Sequence, residues 1–208
     1  MKLKKLVALI TAGALCLGMS MTAFAADDKS PEKVPSANGF ANGGDLAAVN
    51  QASEEEVQEI ANKAMDWLKE NKPNIAENAE VIFAGNYSLM QWDETNGWVD
   101  IKDGKVPGGK ALFSFNVNDI EDKSGFAEGK VVYGLHDNGD GTYSLIEGKL
   151  VFDPTLGWSI QAEMEGFSPV TFFKVMSNGK IVEVDWKGDV VAPKTKTVAR
   201  TTSPKTGE

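Results

Sequence analysis

Two tryptophans frame a short acidic segment whose side chains are suited to binding carbohydrate. Trp92 and Trp98 flank residues 93–97 (Asp-Glu-Thr-Asn-Gly), which end in a hairpin-forming Asn-Gly pair. An indole face stacks on the C–H face of a pyranose, while a carboxylate accepts hydrogen bonds from its hydroxyls. The alternative is that one or both indoles pack inward and brace the loop, since large aromatic side chains usually serve the core. The sequence leaves both interpretations open.

A second candidate is the run of oxygen-bearing side chains between His136 and Glu147. Asn138, Asp140, the turn residue Gly141 and Glu147 nearly match the ligand spacing of a helix-flanked calcium loop. However, His136 stands at the first position, where calcium requires a carboxylate oxygen, and the residues after Gly141 alternate as in a strand. The sequence therefore favours a plain hairpin turn and no metal site.

The acids near the tryptophans suggest a glycosidase pair, formed by Asp93 or Glu94 with Asp100 or Asp103. Acid pairs are common in a chain with 30 acidic residues, and a small antiparallel fold leaves little room for a deep cleft. The sequence has no phosphate-binding loop, nucleophile elbow or His-Glu-x-x-His motif. We therefore expect no catalytic residues and no cofactor.

The composition excludes further classes of function. A chain of 208 residues allows one sizeable core or two small ones. One Cys and one His can supply neither an intrachain disulfide nor a two-histidine metal site. A net charge of −9 argues against nucleic-acid binding, which requires a basic face.

The first 25 residues have the three-part organisation of a secretory signal peptide. A start with three lysines is followed by an uncharged apolar stretch and a small-x-small site that ends at Ala25, directly before Ala26. The apolar stretch is short for a membrane span, so we expect cleavage rather than a retained signal anchor. Cys16 lies in this stretch after Leu15, where lipidation requires a small residue, and is expected to be removed with the signal.

Removal of the signal changes the charge, because residues 1–25 carry three lysines and no acid. The remaining 183 residues hold 18 basic and 30 acidic residues, a net charge of −12. Anionic lipid repels such a surface, so we expect no membrane association of the mature form.

The other end of the chain, residues 187–208, is rich in Thr, Lys and Pro and has no apolar periodicity, which is typical of an extended tether. At its end, Ser203-Pro204-Lys205-Thr206-Gly207 resembles the Leu-Pro-x-Thr-Gly sorting motif of Gram-positive surface proteins. The serine at the first position resembles variants read by class B sortases of some clostridia. This resemblance implies cleavage after Thr206 and transfer to peptidoglycan, with sortase as a partner.

Sorting signals continue into an apolar span and a basic tail, whereas this sequence stops at Glu208. Two alternatives follow: the sequence is truncated, or the motif is inactive and the protein is released. We prefer the anchor, because the motif lies at the end of a tether opposite a signal peptide.

Between the ends, residues 26–51 contain several Pro and Gly and lack apolar periodicity, which predicts a flexible leader. Ser53 and Glu56 then form a capping box, and apolar residues at helical spacing from Val57 to Leu68 predict an amphipathic helix. Beyond Pro73, short runs of period two alternate with Asn-Gly and Asp-Gly turns. This pattern predicts a mainly β domain, an Ig-like antiparallel β-sandwich with one N-terminal helix, over residues 52–186.

Residues 130–136 (Lys-Val-Val-Tyr-Gly-Leu-His), the turn at Asp140-Gly141 and the later Phe167-Ser168-Pro169-Val170 resemble β-sandwich modules in surface proteins of gut Firmicutes. The resemblance covers roughly residues 80–176 and implies no enzymatic activity. We expect Phe167 to plug the core and Pro169 to begin an edge or terminal strand.

The sequence as a whole indicates a secreted protein of the Gram-positive cell wall surface. Its expected role is non-catalytic binding or adhesion to an unknown protein or glycan ligand. The alternative is a carbohydrate-binding module that uses Trp92 and Trp98.

Overall fold

The protein is described by a computed structural model whose described residues are 37–41, 45–185 and 187–191. Within them the chain forms ten strands and two helices. The strands are β1 (Ala37–Ala41), β2 (Leu46–Asn50), β3 (Ala79–Asp93), β4 (Gly97–Asp100), β5 (Ala111–Asn116), β6 (Val131–Asp137), β7 (Tyr143–Asp153), β8 (Gly157–Met164), β9 (Pro169–Ser177) and β10 (Lys180–Ile181). The helices are α1 (Glu54–Asn71) and the short α2 (Pro73–Ala76).

Eight of these strands form a closed antiparallel barrel, in the order β1, β2, β3, β9, β6, β7, β8, β5 and back to β1. The pairing of β3 with β9, through residues 79–86 and 169–175, closes the ring. Strand β3 runs on past its pairing with β9, and β4 pairs with this last part of β3. Strand β10 pairs with the end of β9. The predicted mainly β content is confirmed, whereas the predicted Ig-like β-sandwich is wrong.

The closure depends on β3, which is 15 residues long. Its first half pairs with β9 and its second half with β2, and its register with β9 shifts between Val81 and Phe83. A bulge of this kind bends a strand and increases its twist, so β3 reaches both neighbours. Alternating apolar residues indicate a sheet with one buried face, which sandwiches and barrels share. The sequence pattern therefore could not distinguish the two.

Aromatic rings fill the barrel interior. Phe113, Phe115 and Phe172 are fully buried there, and the ring of Phe83 lies 5.0 Å from that of Phe172. Gly39 makes room for one of them, because a Cβ at this position would come within 2.7 Å of the Phe115 ring. Because aromatic side chains fill the interior, the barrel encloses a packed core, as small closed barrels generally do.

Phe167 packs against this interior, as the sequence predicted, with its ring edge-on to Phe113 at 4.7 Å. Pro169 does begin a strand, but the prediction of an edge or terminal strand is wrong. Strand β9 pairs with β6 on one side and with β3 on the other. Proline is tolerated there because it stands at the first position of the strand.

Helix α1 covers the outer face of the barrel at β3, β6 and β9. Its predicted capping box is confirmed, since the Ser53 hydroxyl accepts from Glu56 N–H and the Glu56 carboxylate accepts from Ser53 N–H. The buried face of the helix packs against outward-facing residues of the barrel, namely Val81, Val131, Tyr133, Leu135, Phe173 and Val175. The helix thus gives these three strands a second buried face.

The prediction of a flexible leader over residues 26–51 does not hold for β1 and β2, which are two of the eight barrel strands. Both strands are short and rich in Ala, so they lack the alternation of large apolar residues that marks the other strands. Their burial comes from their neighbours: Ala47 and Ala48 are fully buried between β1 and β3. The folded unit therefore includes residues from Ala37 onward.

The segment after β10 is held by a tyrosine hydroxyl. Tyr133 Oη donates to the Val184 carbonyl at 2.8 Å and accepts from the Val184 N–H at 2.9 Å. Both residues are buried, and burial is the main cause that raises the pKa of Tyr133 above its ordinary value. One side chain thus satisfies two main-chain groups.

Replacement of Tyr133 by Phe is expected to lower the free energy of unfolding by about 1–3 kcal/mol, because a buried N–H and a buried carbonyl lose their partner. Urea unfolding of Tyr133→Phe against wild type measures this difference. Tyr143→Phe is the matched control, since Tyr143 is a strand tyrosine whose ring packs on Trp67. Equal losses in the two variants would contradict the expectation.

Candidate functional site

The β3–β4 hairpin brings the two predicted tryptophans together. Trp92 and Trp98 are directly opposed in the register, and their rings lie edge to face with centroids 5.6 Å apart. Such cross-strand aromatic pairs stabilise antiparallel sheets. Both side chains are half-buried, so the pair presents part of its aromatic surface to solvent.

Trp98 rests on an apolar patch of the outer barrel wall. Phe40, Ala47 and Val49 form the buried part of this patch, and Met90 packs against it together with Trp98. The indole Nε1 of Trp98 is buried, and no acceptor within the described part of the chain bonds to it. Trp98 therefore anchors the hairpin to the barrel and holds Trp92 in place. Whether the pair contacts a glycan stays a prediction.

The acid beside Trp92 is committed to the turn. Asp93 Oδ1 accepts from Thr95 N–H at 3.0 Å and from Asn96 N–H at 2.8 Å. Hydrogen bonds from Asn96 and Thr95 hold the pKa of Asp93 below its ordinary value. Gly97 completes the turn with a φ of 74°, which favours glycine. Asp93 is thus an ionised turn-stabilising acceptor rather than a tuned general acid.

The other acids of the suggested glycosidase pairs have separate places. Asp100 lies opposite Met90 in the register, and Asp103 caps the next turn by accepting from Lys105 N–H at 3.1 Å. Glu94 lies exposed at the hairpin tip. These carboxyl groups thus lie at the hairpin tip, on its second strand and in the turn that follows it.

The residues of the suggested calcium loop form the β6–β7 hairpin. Asp140 Oδ1 accepts from the N–H and the hydroxyl of Thr142, at 2.9 and 2.6 Å. Glu147 lies within β7, opposite Tyr133, so the register separates it from the turn. Within residues 37–41, 45–185 and 187–191, no group of three or more His, Cys, Asp or Glu converges on a metal position.

The structure also pairs His136 with Ser168, a contact that sequence reasoning missed. Ser168 Oγ lies 2.9 Å from His136 Nε2 and donates to the Asp137 carbonyl at 2.6 Å. Because the hydroxyl proton is given to a carbonyl, the imidazole Nε2–H donates to Oγ and does not activate the serine. The pair joins the end of β6 to the start of β9, and only the fold reveals it.

Burial holds the pKa of His136 below its ordinary value of 6.5, against the opposing effects of a hydrogen bond with Asn138 and the charge of Asp137. The unfolded chain therefore binds a proton near pH 6.5, while the folded chain resists protonation until a lower pH. Protonation favours the unfolded state throughout that interval.

We expect the unfolding free energy of the wild type to fall as the pH drops below 6.5, with a slope of at most about 1.4 kcal/mol per pH unit for one proton. In His136→Gln, the contribution of histidine protonation to this fall in unfolding free energy should be absent. Urea unfolding of both proteins on either side of pH 6.5 measures the difference. Parallel pH profiles would show that His136 does not contribute.

Lys174 is a second group that the sequence reasoning passed over. It is a fully buried lysine at the sixth position of β9. A single lysine within the apolar run 170–176 is the signal that points to a buried charge.

The signal cleavage site at Ala25 and Ala26 and the sorting motif at residues 203–207 lie outside the described residues. No protein-family model, curated protein or solved structure matches the chain. In the described ranges, none of the helices combines the length and apolar character needed to cross a bilayer.

Proposed function

We propose that the chain is a secreted bacterial surface protein, anchored to the cell wall through residues 203–207, and that its barrel is a non-catalytic binding module. Residues 1–25 have the organisation of a secretory signal peptide, and residues 203–207 resemble a sorting motif. The domain between these segments has an interior filled with aromatic side chains. A packed interior directs ligand contact to the outer surface. The observation that carries the proposal is that one sequence begins with a segment organised like a signal peptide and has, at residues 203–207, a segment that resembles a sorting motif.

Anchoring predicts a defined reaction of the intact chain with a class B sortase and an amine acceptor. Cleavage between Thr206 and Gly207 should release the residues after Thr206 and attach the acceptor to the Thr206 carbonyl. Intact-mass measurement of the product identifies this exchange.

The matched control is Thr206→Ala, which alters only the cleaved position. An unchanged wild-type mass, with a sortase that processes its own peptide substrate, would argue against anchoring by this motif.

A carbohydrate ligand is the second candidate, and the opposed Trp92–Trp98 pair favours it. The rings form a partly exposed aromatic surface at the hairpin tip, and Glu94 places a carboxylate in the same exposed tip. A pyranose ring stacking on Trp92 would leave its hydroxyls within reach of such acceptors.

The β7–β8 hairpin supplies a matched control within the same molecule. It has the same pattern of an aromatic residue, Asp, Thr, Gly and Trp, and the rings of Phe152 and Trp158 lie 5.0 Å apart. Asp153 Oδ1 accepts from the N–H groups of Thr155 and Leu156, as Asp93 does in its own turn. The strand pairings place this hairpin at the other end of the barrel.

Trp92→Ala is expected to weaken binding to a cell-wall polysaccharide by about 1 kcal/mol, roughly fivefold, because one stacking surface is lost. Phe152→Ala, which removes a half-exposed ring at the opposite end, should leave binding unchanged. Affinity gel electrophoresis against a panel of polysaccharides measures both. If no polysaccharide slows the migration of the wild type, Trp92→Ala or Phe152→Ala, the carbohydrate proposal is wrong.

A further inference from the structure

Lys174 lies inside one end of the barrel. In β9, Phe172 belongs to the interior cluster and Phe173 to the helix-facing cluster, so the alternation of the strand places Lys174 on the interior face. Its side chain is only 1% exposed. The register pairs it with Glu80 at the start of β3, so Lys174 is one of the β9 residues through which the barrel closes.

The ammonium group meets oxygens from the β5–β6 connection. Lys174 Nζ lies 3.2 Å from Asp122 Oδ2 and 3.0 Å from both the carbonyl and the hydroxyl oxygen of Ser124. Glu80 Oε2 is 3.5 Å away on the adjacent strand. The Phe126 ring covers the group, with its centroid 5.7 Å from Nζ. A primary amine is thus enclosed with one carboxyl group in contact and a second beside it.

We propose that Lys174 and Asp122 form an intramolecular amide bond, with Glu80 carrying the proton. Burial of the Lys174 ammonium costs desolvation energy that offsets much of its Coulombic gain with Asp122, whereas an amide in the same place is neutral. Holding the two groups in contact replaces a bimolecular encounter with an intramolecular one, which removes much of the entropic barrier. The bond links β9 to the β5–β6 connection across the end of the barrel.

The reaction balances without any additional reactant. Glu80 accepts a proton from the Lys174 ammonium and passes it to an Asp122 oxygen, and the neutral amine then attacks Cγ of the resulting carboxylic acid. A second proton from the nitrogen completes the departing water. The new Nζ–Cγ bond replaces one Cγ–O bond, and one ammonium plus one carboxylate become one amide plus one water.

Glu80 is required because Asp122 is ionised at rest. Burial opposes ionisation, but hydrogen bonds from Ser124 and the charge of Lys174 hold the pKa of Asp122 below its ordinary value. A carboxylate is a poor electrophile until an acid protonates it. The Glu80 side chain is 44% exposed, which lets it exchange protons with solvent.

Intact-mass spectrometry of the denatured full chain tests the bond. The wild type should be lighter than its sequence mass by one water, and a tryptic map should join the peptides that contain Asp122 and Lys174. Asp122→Asn should lose ammonia instead and reach the same final mass as the wild type, because both precursors give one product. Asp122→Ala and Lys174→Arg should keep their full masses.

A dehydrated Asp-Gly sequence is the competing source of a lost water, and Asp103-Gly104 and Asp140-Gly141 are two such sequences. Mild alkali restores the water to a cyclic imide and leaves an amide intact. Glu80→Gln should keep its full mass, because the proton carrier is missing. Circular dichroism should show that this variant still forms the sheet, so that the missing bond is not explained by a failure to fold. A wild-type chain of full mass after prolonged incubation, or a water loss that persists in Lys174→Arg, would overturn the proposal.

Discussion

The pairing of β3 with β9 is the constraint on which the rest of the structure depends. It joins residues 79–86 to residues 169–175, and without it the sheet would be open at both of these strands. An open sheet leaves two rows of main-chain donors and acceptors that require other partners, whereas a closed ring satisfies them within itself. Helix α1 packs over this same seam, so the outer apolar face of the closing strands is buried as well. Closure and helix docking therefore stabilise each other.

Closure also determines where contact with other molecules can occur. Once eight strands curve into a ring, their inner side chains converge, and here the converging residues are Phe113, Phe115 and Phe172. The interior is used for packing, and the outer wall and hairpin tips remain for binding. The β3–β4 hairpin is suited to this role because Trp98 anchors it to the wall, while the half-buried Trp92 packs edge to face on Trp98. The barrel stabilises this hairpin. The aromatic surface is exposed because the part of β3 that carries Trp92 runs past the end of the pairing with β9.

Local chemistry made some of these features predictable from the sequence. The capping box at Ser53 located α1, and the turn pair Asn96-Gly97 predicted the hairpin that opposes the two tryptophans. Features that depend on distant residues were missed. Strands β1 and β2 consist largely of small residues whose burial is provided by β3 and β5. The contacts of His136 with Ser168 and of Lys174 with Asp122 join positions that no local spacing relates.

The location of Lys174 shows how the same closure creates a chemical environment. A lysine in the β9 sequence would be solvated on an open edge strand, where a charged side chain costs little. In the closed barrel, the face of β9 that carries Lys174 is turned to the interior. The β5–β6 connection then covers the ammonium group with main-chain and side-chain oxygens of Asp122 and Ser124. These contacts tie the β5–β6 connection to the seam that closes the barrel, because Lys174 is itself one of the β9 residues paired with β3.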